Sequence, residues 1–346
     1  MQIYNKKTNK RKRNVILLIS LSFLVICMGT SIGSSHTSIL DILSILSYKI
    51  FNFPLGDGIT KNDVAIIWNL RLPRVLLAFL VGGSLAVSGS VVQSTLKNPL
   101  ASPFTLGVST GASLGVGLLI VTGFSIPLLG RLTMPLVGFI CGVLTVFAVI
   151  LFSSKVDKGM SSTTIILSGM VFSLFFNAIL TTITALCSED IASISMWQMG
   201  SFSMKGWSYV KIGLPFFIIG IISVMLYVKE MDILSFGDEQ AKSVGVNVSK
   251  TKKILLVFSA MLTGSAVALS GTIGFVDLII PHLVRKLFGA KHSYVIPNSI
   301  AFGGCFMVIT DLIARTIIIP SELPVGAITA LIGAPFFAYI YFKRSK

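Results

Sequence analysis

The stretch Thr163-Thr-Ile-Ile-Leu-Ser-Gly-Met-Val-Phe-Ser-Leu-Phe-Phe-Asn-Ala-Ile-Leu-Thr-Thr-Ile-Thr-Ala-Leu-Cys187 runs for 25 residues without one charged side chain. A helix needs roughly 20 predominantly apolar residues to cross the hydrocarbon core of a bilayer, so the segment reads as a membrane span. Its polar positions are patterned: Gly169, Ser173, Asn177 and Thr181 recur every four residues and share one helical face. Such a stripe avoids lipid. It either lines a solute pathway or joins two helices, and Asn177 is the strongest pathway candidate.

The same character extends outward over the chain. Of 346 residues, 53% are hydrophobic and 12% charged, and mean hydropathy is +0.89, whereas a soluble domain carries about 25% charged residues. Ten apolar segments are predicted, at about 15–33, 64–94, 104–122, 132–153, 163–187, 211–228, 254–270, 275–289, 295–318 and 324–342. The expected fold is an all-α integral membrane protein of about ten transmembrane helices. It forms a single domain at 15–342, with basic tails at 1–14 and 343–346. The start, Lys6 to Arg13 followed by an apolar run, resembles a signal peptide, but no A-x-A site follows and a first span is expected instead.

Charge sets the orientation. An even number of spans puts both basic termini on one side, and all but eight of the 28 Lys and Arg fall on that side, which the positive-inside rule makes cytoplasmic. The formal net charge of +15 therefore belongs to loops, not to a nucleic-acid-binding face. The eight external cations are Lys49, Lys61, Arg71, Arg74, Arg131, Lys205, Lys211 and Arg315. Cys27, Cys141, Cys187 and Cys305 have no metal-ligand spacing and read as small packing residues. Ser84-Leu-Ala-Val-Ser-Gly89 is echoed by Ala266-Val-Ala-Leu-Ser-Gly271, each followed ten residues later by a proline, Pro99 and Pro281. In this topology the copies run in opposite directions, the pattern of an inverted pseudo-repeat.

Three further segments bear on mechanism. In the cytoplasmic segment 229–253, Leu234-Ser-Phe-Gly-Asp-Glu-Gln-Ala-Lys-Ser-Val-Gly-Val246 predicts a short helix. Asp238 and Glu239 suit its N-terminus, Lys242 the later turn, and Gly245 a left-handed stop. It either transmits force or is an ordinary solvated loop helix. Between Asn98 and Gly115, two prolines and three glycines interrupt an apolar region. They give either tight packing or a broken helix beside a cavity. Arg71 and Arg74 open the second span outside, and Arg315 follows Asp311 by one turn. Asp311 can neutralise Arg315 as an i,i+4 pair while Arg71 and Arg74 anchor at headgroups. Alternatively the arginines dock an acidic partner. No G-x-x-x-x-G-K-[ST] motif is present, so any ATP hydrolysis falls to another subunit.

Leu70-Arg-Leu-Pro-Arg74, Asn98-Pro-Leu-Ala101, Leu106-Gly-Val108, Met196-Trp-Gln-Met-Gly200, Gly237-Asp-Glu239 with Gly245-Val246, Gly274-Phe275 through Ile280-Pro-His282, and Glu322-Leu-Pro-Val-Gly-Ala327 through Gly333-Ala-Pro335 occur in this order. Together they resemble the FecCD family, the permease subunits of iron–siderophore, haem and vitamin B12 ABC importers. The resemblance implies a vitamin B12 importer permease-like fold. It also implies a second permease subunit, identical or a close homologue, with cytoplasmic ABC ATPase subunits beneath and an extracellular solute-binding protein above.

By the same resemblance, Gly237, Asp238, Glu239, Ala241 and Gly245 couple to the ATPase. Arg71, Arg74 and Arg315 dock the binding protein. Ser162, Thr163 and the turn from Asn98 to Leu100 form a cytoplasmic gate. The usual Gly-Phe-Ile-Gly-Leu run is altered to Gly274-Phe-Val-Asp-Leu278. An intramembrane carboxylate is a functional hypothesis by default, and Asp277 either pairs with a basic group or faces the cavity. The expected function is a permease for ferric siderophore uptake, without its own catalytic site, cofactor or metal. Haem and cobalamin are alternative substrates. An ion-coupled secondary transporter using Asp277 and Asp311 is a rival from another class, and an intramembrane enzyme built on His282 is a more remote one.

Overall fold

The computed structural model describes residues 2–33, 38–56 and 58–344, and among them there are helices and no strand. Residues 345–346 of the predicted basic tail lie outside the described residues. Helix α1 (Gln2–Ser31) carries most of the other predicted tail and the first span as one element. The sequence reading leaves the chain from 34 to 63 as a connection, but α2 (Ile39–Phe51) and α3 (Lys61–Ala65) form there. Both open with capping boxes, Ser38 with Asp41 and Thr60 with Asp63, which satisfy free amides at the helix start. Because α2 is too short to span, a span-length hydropathy search passes over it. Its Ile42 and Ile45 pack on Val64 and Ile67.

A π-helical stretch, Ile66–Arg71, leads into α4 (Leu72–Thr95). Pro73 has no amide hydrogen to give, and the amide of Leu72 reaches back five residues to Ile67, a register change of the kind proline provokes. Then come a 3-10 turn (Pro103–Leu106), α5 (Val108–Thr122), α6 (Thr133–Val156), α7 (Ser162–Leu186), α8 (Ile191–Met199), α9 (Trp207–Leu226), α10 (Val228–Leu234), α11 (Asp238–Ser243), α12 (Val248–Ser270), α13 (Val276–Phe288), α14 (His292–Thr316) and α15 (Val325–Arg344).

Each predicted apolar segment matches a helix, with two refinements. Six helical stretches are long and apolar enough to cross a membrane, and the apolar parts of α1, α5 and α15 are shorter. The eighth segment, predicted at 275–289, is α13 with 13 residues, about 20 Å at 1.5 Å per residue against a hydrocarbon core of about 30 Å. It does not span. Short α8 was not predicted; it carries the Met196 to Gly200 motif.

The core forms around α4, whose residues 81–95 are all buried. A helix apolar all round belongs inside a bundle, and α4 packs against α9, α12, α13 and α14. Small residues bring the axes close: a Cβ on Gly82 would strike the Gly303 carbonyl of α14. Hydroxyls add specific ties, as Ser88 bonds Ser259 (2.6 Å) and Thr263 (2.5 Å) of α12, and Ser90 bonds Ser299 of α14 (3.1 Å). The two copies of the sequence echo occupy different local structure. Ser88-Gly89 lies within α4, whereas Ser270-Gly271 ends α12.

Candidate functional site

Three polar regions interrupt this apolar body: a charged cluster at each end and a cavity between. At one end the guanidinium of Arg74 is held by two carboxylates. Its Nε and Nη2 donate to Asp311 (3.1 and 2.9 Å), and its Nη1 and Nη2 donate to Glu322 (2.8 and 3.0 Å). Arg74 is 12% exposed and Asp311 1%. Arg315 donates to the carbonyl of Gly29 and stands 3.8 Å from Asp311. Arg71, 6% exposed, donates to the carbonyls of Ser31 (3.1 Å) and Thr30 (3.4 Å), where the negative end of α1 suits a cation.

The three predicted arginines are thus brought together, but each also has an internal partner. The i,i+4 contact of Asp311 with Arg315 exists, yet the shorter contacts of Asp311 go to Arg74. The arginines line a cavity of about 590 Å³ together with Arg131, Lys205 and Glu322. Sequence reasoning assigned Arg131 and Lys205 no role. Their signal was their place outside, against the positive-inside bias. Lys205 lies 4.4 Å from the centre of the Tyr209 ring, and burial pushes its ammonium down to about 8. The hydrogen bond from Arg74 holds Glu322 below the usual carboxylate range, although burial opposes it.

Between the ends, Asn177 lines a cavity of about 400 Å³ with Ser109, Thr110, Ser113, Ser195, Gln198 and Thr272. The polar stripe of α7 therefore divides. Gly169 packs on the 3-10 turn at Thr105, and Ser173 lies against Gly107, with no hydrogen-bond partner for its hydroxyl among the described residues. Asn177 opens into the cavity, while Thr181 is exposed and does not line it.

At the other end, α11 forms where predicted, spanning six residues. The turn after it carries Gly245 at φ +89°, a conformation that suits glycine. Ala241 is fully buried, Glu239 and Gly245 are exposed, and Phe236 and Val244 are 78% and 70% exposed. Asp238 faces inward: its Oδ1 meets Lys97 (2.7 Å) and its Oδ2 meets Lys252 (2.7 Å). Burial raises the Asp238 carboxyl, but hydrogen bonds from Lys252 and Lys97 outweigh it and hold the group below its ordinary value. Lys252, fully buried, also donates to the carbonyl of Met160 (3.0 Å).

Both predicted gate elements adjoin this cluster. Asn98 Oδ1 accepts from the amide of Leu100 (2.9 Å), forming a tight turn, and Leu100 is 44% exposed. Ser162 and Thr163 open α7, two and three residues beyond Met160. A second tie was not foreseen: His292 Nδ1 lies 2.6 Å from Asp232 of α10, and its Nε2 lies 2.6 Å from Ser94 of α4. The sequence reading weighed only His282 as a histidine near a span, but His292 opens α14. Ser94 and His292 are buried, which suits a clamp between helices.

Among the described ion pairs none includes Asp277, and it does not line the described cavities. Fully buried, it accepts from Ser102, and its Oδ1 has no partner among the described residues. Arg285, the basic group in reach of this region, bonds Gln93 instead, and Gln93 donates to the main-chain carbonyl of Asp277 (3.1 Å).

Comparison with known proteins gives the arrangement a lineage. The family model of the FecCD transport family matches residues 18–343. An uncharacterized ABC transporter permease protein of Bacillus subtilis (strain 168), YvrB, is 42% identical over 341 residues, covering 97% of this chain and 96% of its own length. The hemin transport system permease protein HmuU of Yersinia pestis is 36% identical, covering 95% and 96%. A solved structure described as an inward-facing conformation of a metal-chelate type ABC transporter superposes with a TM-score of 0.83 at 31% identity, covering 96% of this chain and 99% of the other. From its first span to its last helix, this chain belongs to the FecCD transport family.

Proposed function

We propose that the chain is the membrane-spanning subunit of an ATP-driven importer for a ferric siderophore. The observation that carries this reading is the near full-length match to the FecCD transport family. Relatives named for Fe(3+)-citrate and iron(3+)-hydroxamate import are 35% and 30% identical. The cation-lined cavity is the entrance, facing outward, where an acidic solute-binding protein docks. Arg131 and Lys205, which have no carboxylate partner among the described ion pairs, offer charge for that contact, while Arg71, Arg74 and Arg315 shape the rim.

At the opposite, cytoplasmic end an ATPase subunit seats on α11. The exposed Phe236 and Val244 flank that helix, and beside it lies a groove of about 350 Å³ lined by Gly245, Lys242, Lys158 and Gly159. ATP-driven movement of α11 opens the gate turns, and the solute passes the uncharged polar cavity at Asn177. A second permease subunit completes the path. Asp311 is engaged by Arg74, which leaves an ion-coupled mechanism without an obvious pair of free intramembrane carboxylates.

The hemin permease relative keeps haem as a second reading. Uptake of ferric siderophores, haem and cobalamin by iron-starved cells with and without the gene separates these cases. Loss of one ferric chelate supports the reading. Loss of haem or cobalamin alone reassigns the substrate, and ATP-independent uptake removes the importer mechanism.

A further inference from the structure

We propose that Asp238 is a transmission joint, a positioning residue that ties α11 to both gate turns so that displacing α11 moves the two turns together. The inference rests on the coupling and gate reading above. A coupling residue that touched the ATPase would present its polar atoms outward, as Glu239 does. Asp238 instead turns both oxygens into the bundle. Oδ1 takes Lys97, the residue before the Asn98 turn that follows α4. Oδ2 takes Lys252, in the first turns of α12. Through its second hydrogen bond Lys252 reaches Met160, in the turn that precedes α7.

One carboxylate therefore joins four segments that are distant in sequence: α11, the turn after α4, the base of α12 and the turn before α7. The joint is stiff for two reasons. Lys252 is fully buried, so its ammonium depends on these partners. Truncating either partner of a buried pair leaves an uncompensated charge. The two lysines are also like charges held on one anion. Removing the anion lets both turns relax away from α11 at the same time.

The outward contacts of α11 fall to other side chains. Phe236 and Val244 are exposed apolar residues on either side of the helix, so docking and transmission use separate residues. A carboxylate that served only for stability would not divide them.

The test uses the full permease co-assembled with its ATPase subunits in proteoliposomes. Three quantities are read: ATP hydrolysis, solute taken up per ATP, and backbone hydrogen exchange at residues 97–101 and 157–162. Asp238→Asn is expected to lower uptake per ATP about tenfold, within the range of ordinary coupling free energies, and to speed exchange in both turns. The double variant Asp238→Asn with Lys252→Gln removes the stranded buried charge. It should fold and show the same loss of uptake per ATP. Unchanged uptake per ATP in both variants overturns the joint. So does faster exchange in one turn alone, or loss of the ATPase subunits from the complex, which would make Asp238 a docking contact. If wild-type uptake needs no ATP, the importer reading fails, and the exchange data still decide whether Asp238 links the two turns.

Discussion

Arg74 shows how one side chain divides between stability and recognition. Four of its five N–H donors meet two carboxylates, and bidentate geometry of this kind is where arginine differs from lysine. Arg74→Ala would strand the buried Asp311, at a cost of about 3–5 kcal/mol, visible as a large fall in thermal stability in detergent. Arg131→Glu, at an exposed position, should leave that stability nearly unchanged and weaken association with the binding protein. Lys205 adds a pH dependence. With its ammonium pushed down to about 8, the cavity loses one positive charge as pH rises through that value. Binding-protein affinity should therefore fall between pH 7 and 9 in the wild type, and Lys205→Arg should flatten the profile, because a guanidinium stays charged there. The arginines were legible in the sequence as cations on the wrong side of the charge bias. The i,i+4 contact of Arg315 with Asp311 was legible too, but the partners of Arg74 were not, because Asp311 and Glu322 lie 237 and 248 residues from it and no local pattern links them.

Elements that carry their own signals are the ones the sequence revealed. Helix α11 announces both ends by charge and glycine, and it forms where those residues place it. Phe236→Ser and Val244→Ser should loosen the ATPase complex in pull-down while leaving the melting temperature of the isolated permease within about a degree or two, since surface changes move stability by roughly 0.5 kcal/mol or less. Gly245→Val should instead cost about 1–2 kcal/mol, because a branched side chain resists a positive φ; the readout is thermal unfolding. Helices α2 and α8 were illegible for one shared reason: each is shorter than a span, and a span-length hydropathy window averages it into its surroundings. The segment predicted at 275–289 is α13 at Val276–Phe288, because its apolar run and its closing glycine, Gly289, mark both ends.

For the whole molecule, the bundle was readable because lipid permits so few backbone solutions: runs of apolar residues have to be helices, and their number and flanking charge suggest the proposed topology. The mutual packing of those helices was not readable, since it depends on small residues and hydroxyls that a hydropathy scale scores as weak. The proposed orientation is testable directly. In a cysteine-free background, a cysteine at Gly206 should react with a membrane-impermeant maleimide in intact cells, and one at Val244 only after permeabilisation; the opposite pattern would invert the bundle.

The cavity lined by Arg71, Arg74, Arg131, Lys205 and Arg315 then has an electrical consequence. A vestibule of that sign gathers anions, and a cell interior held negative repels them. Each elementary negative charge carried inward works against the membrane potential by about 2.3 kcal/mol per 100 mV. In the proposed orientation, a chelate with several net negative charges would be expelled, not accumulated, by a passive pore, which is the electrical case for a driven importer.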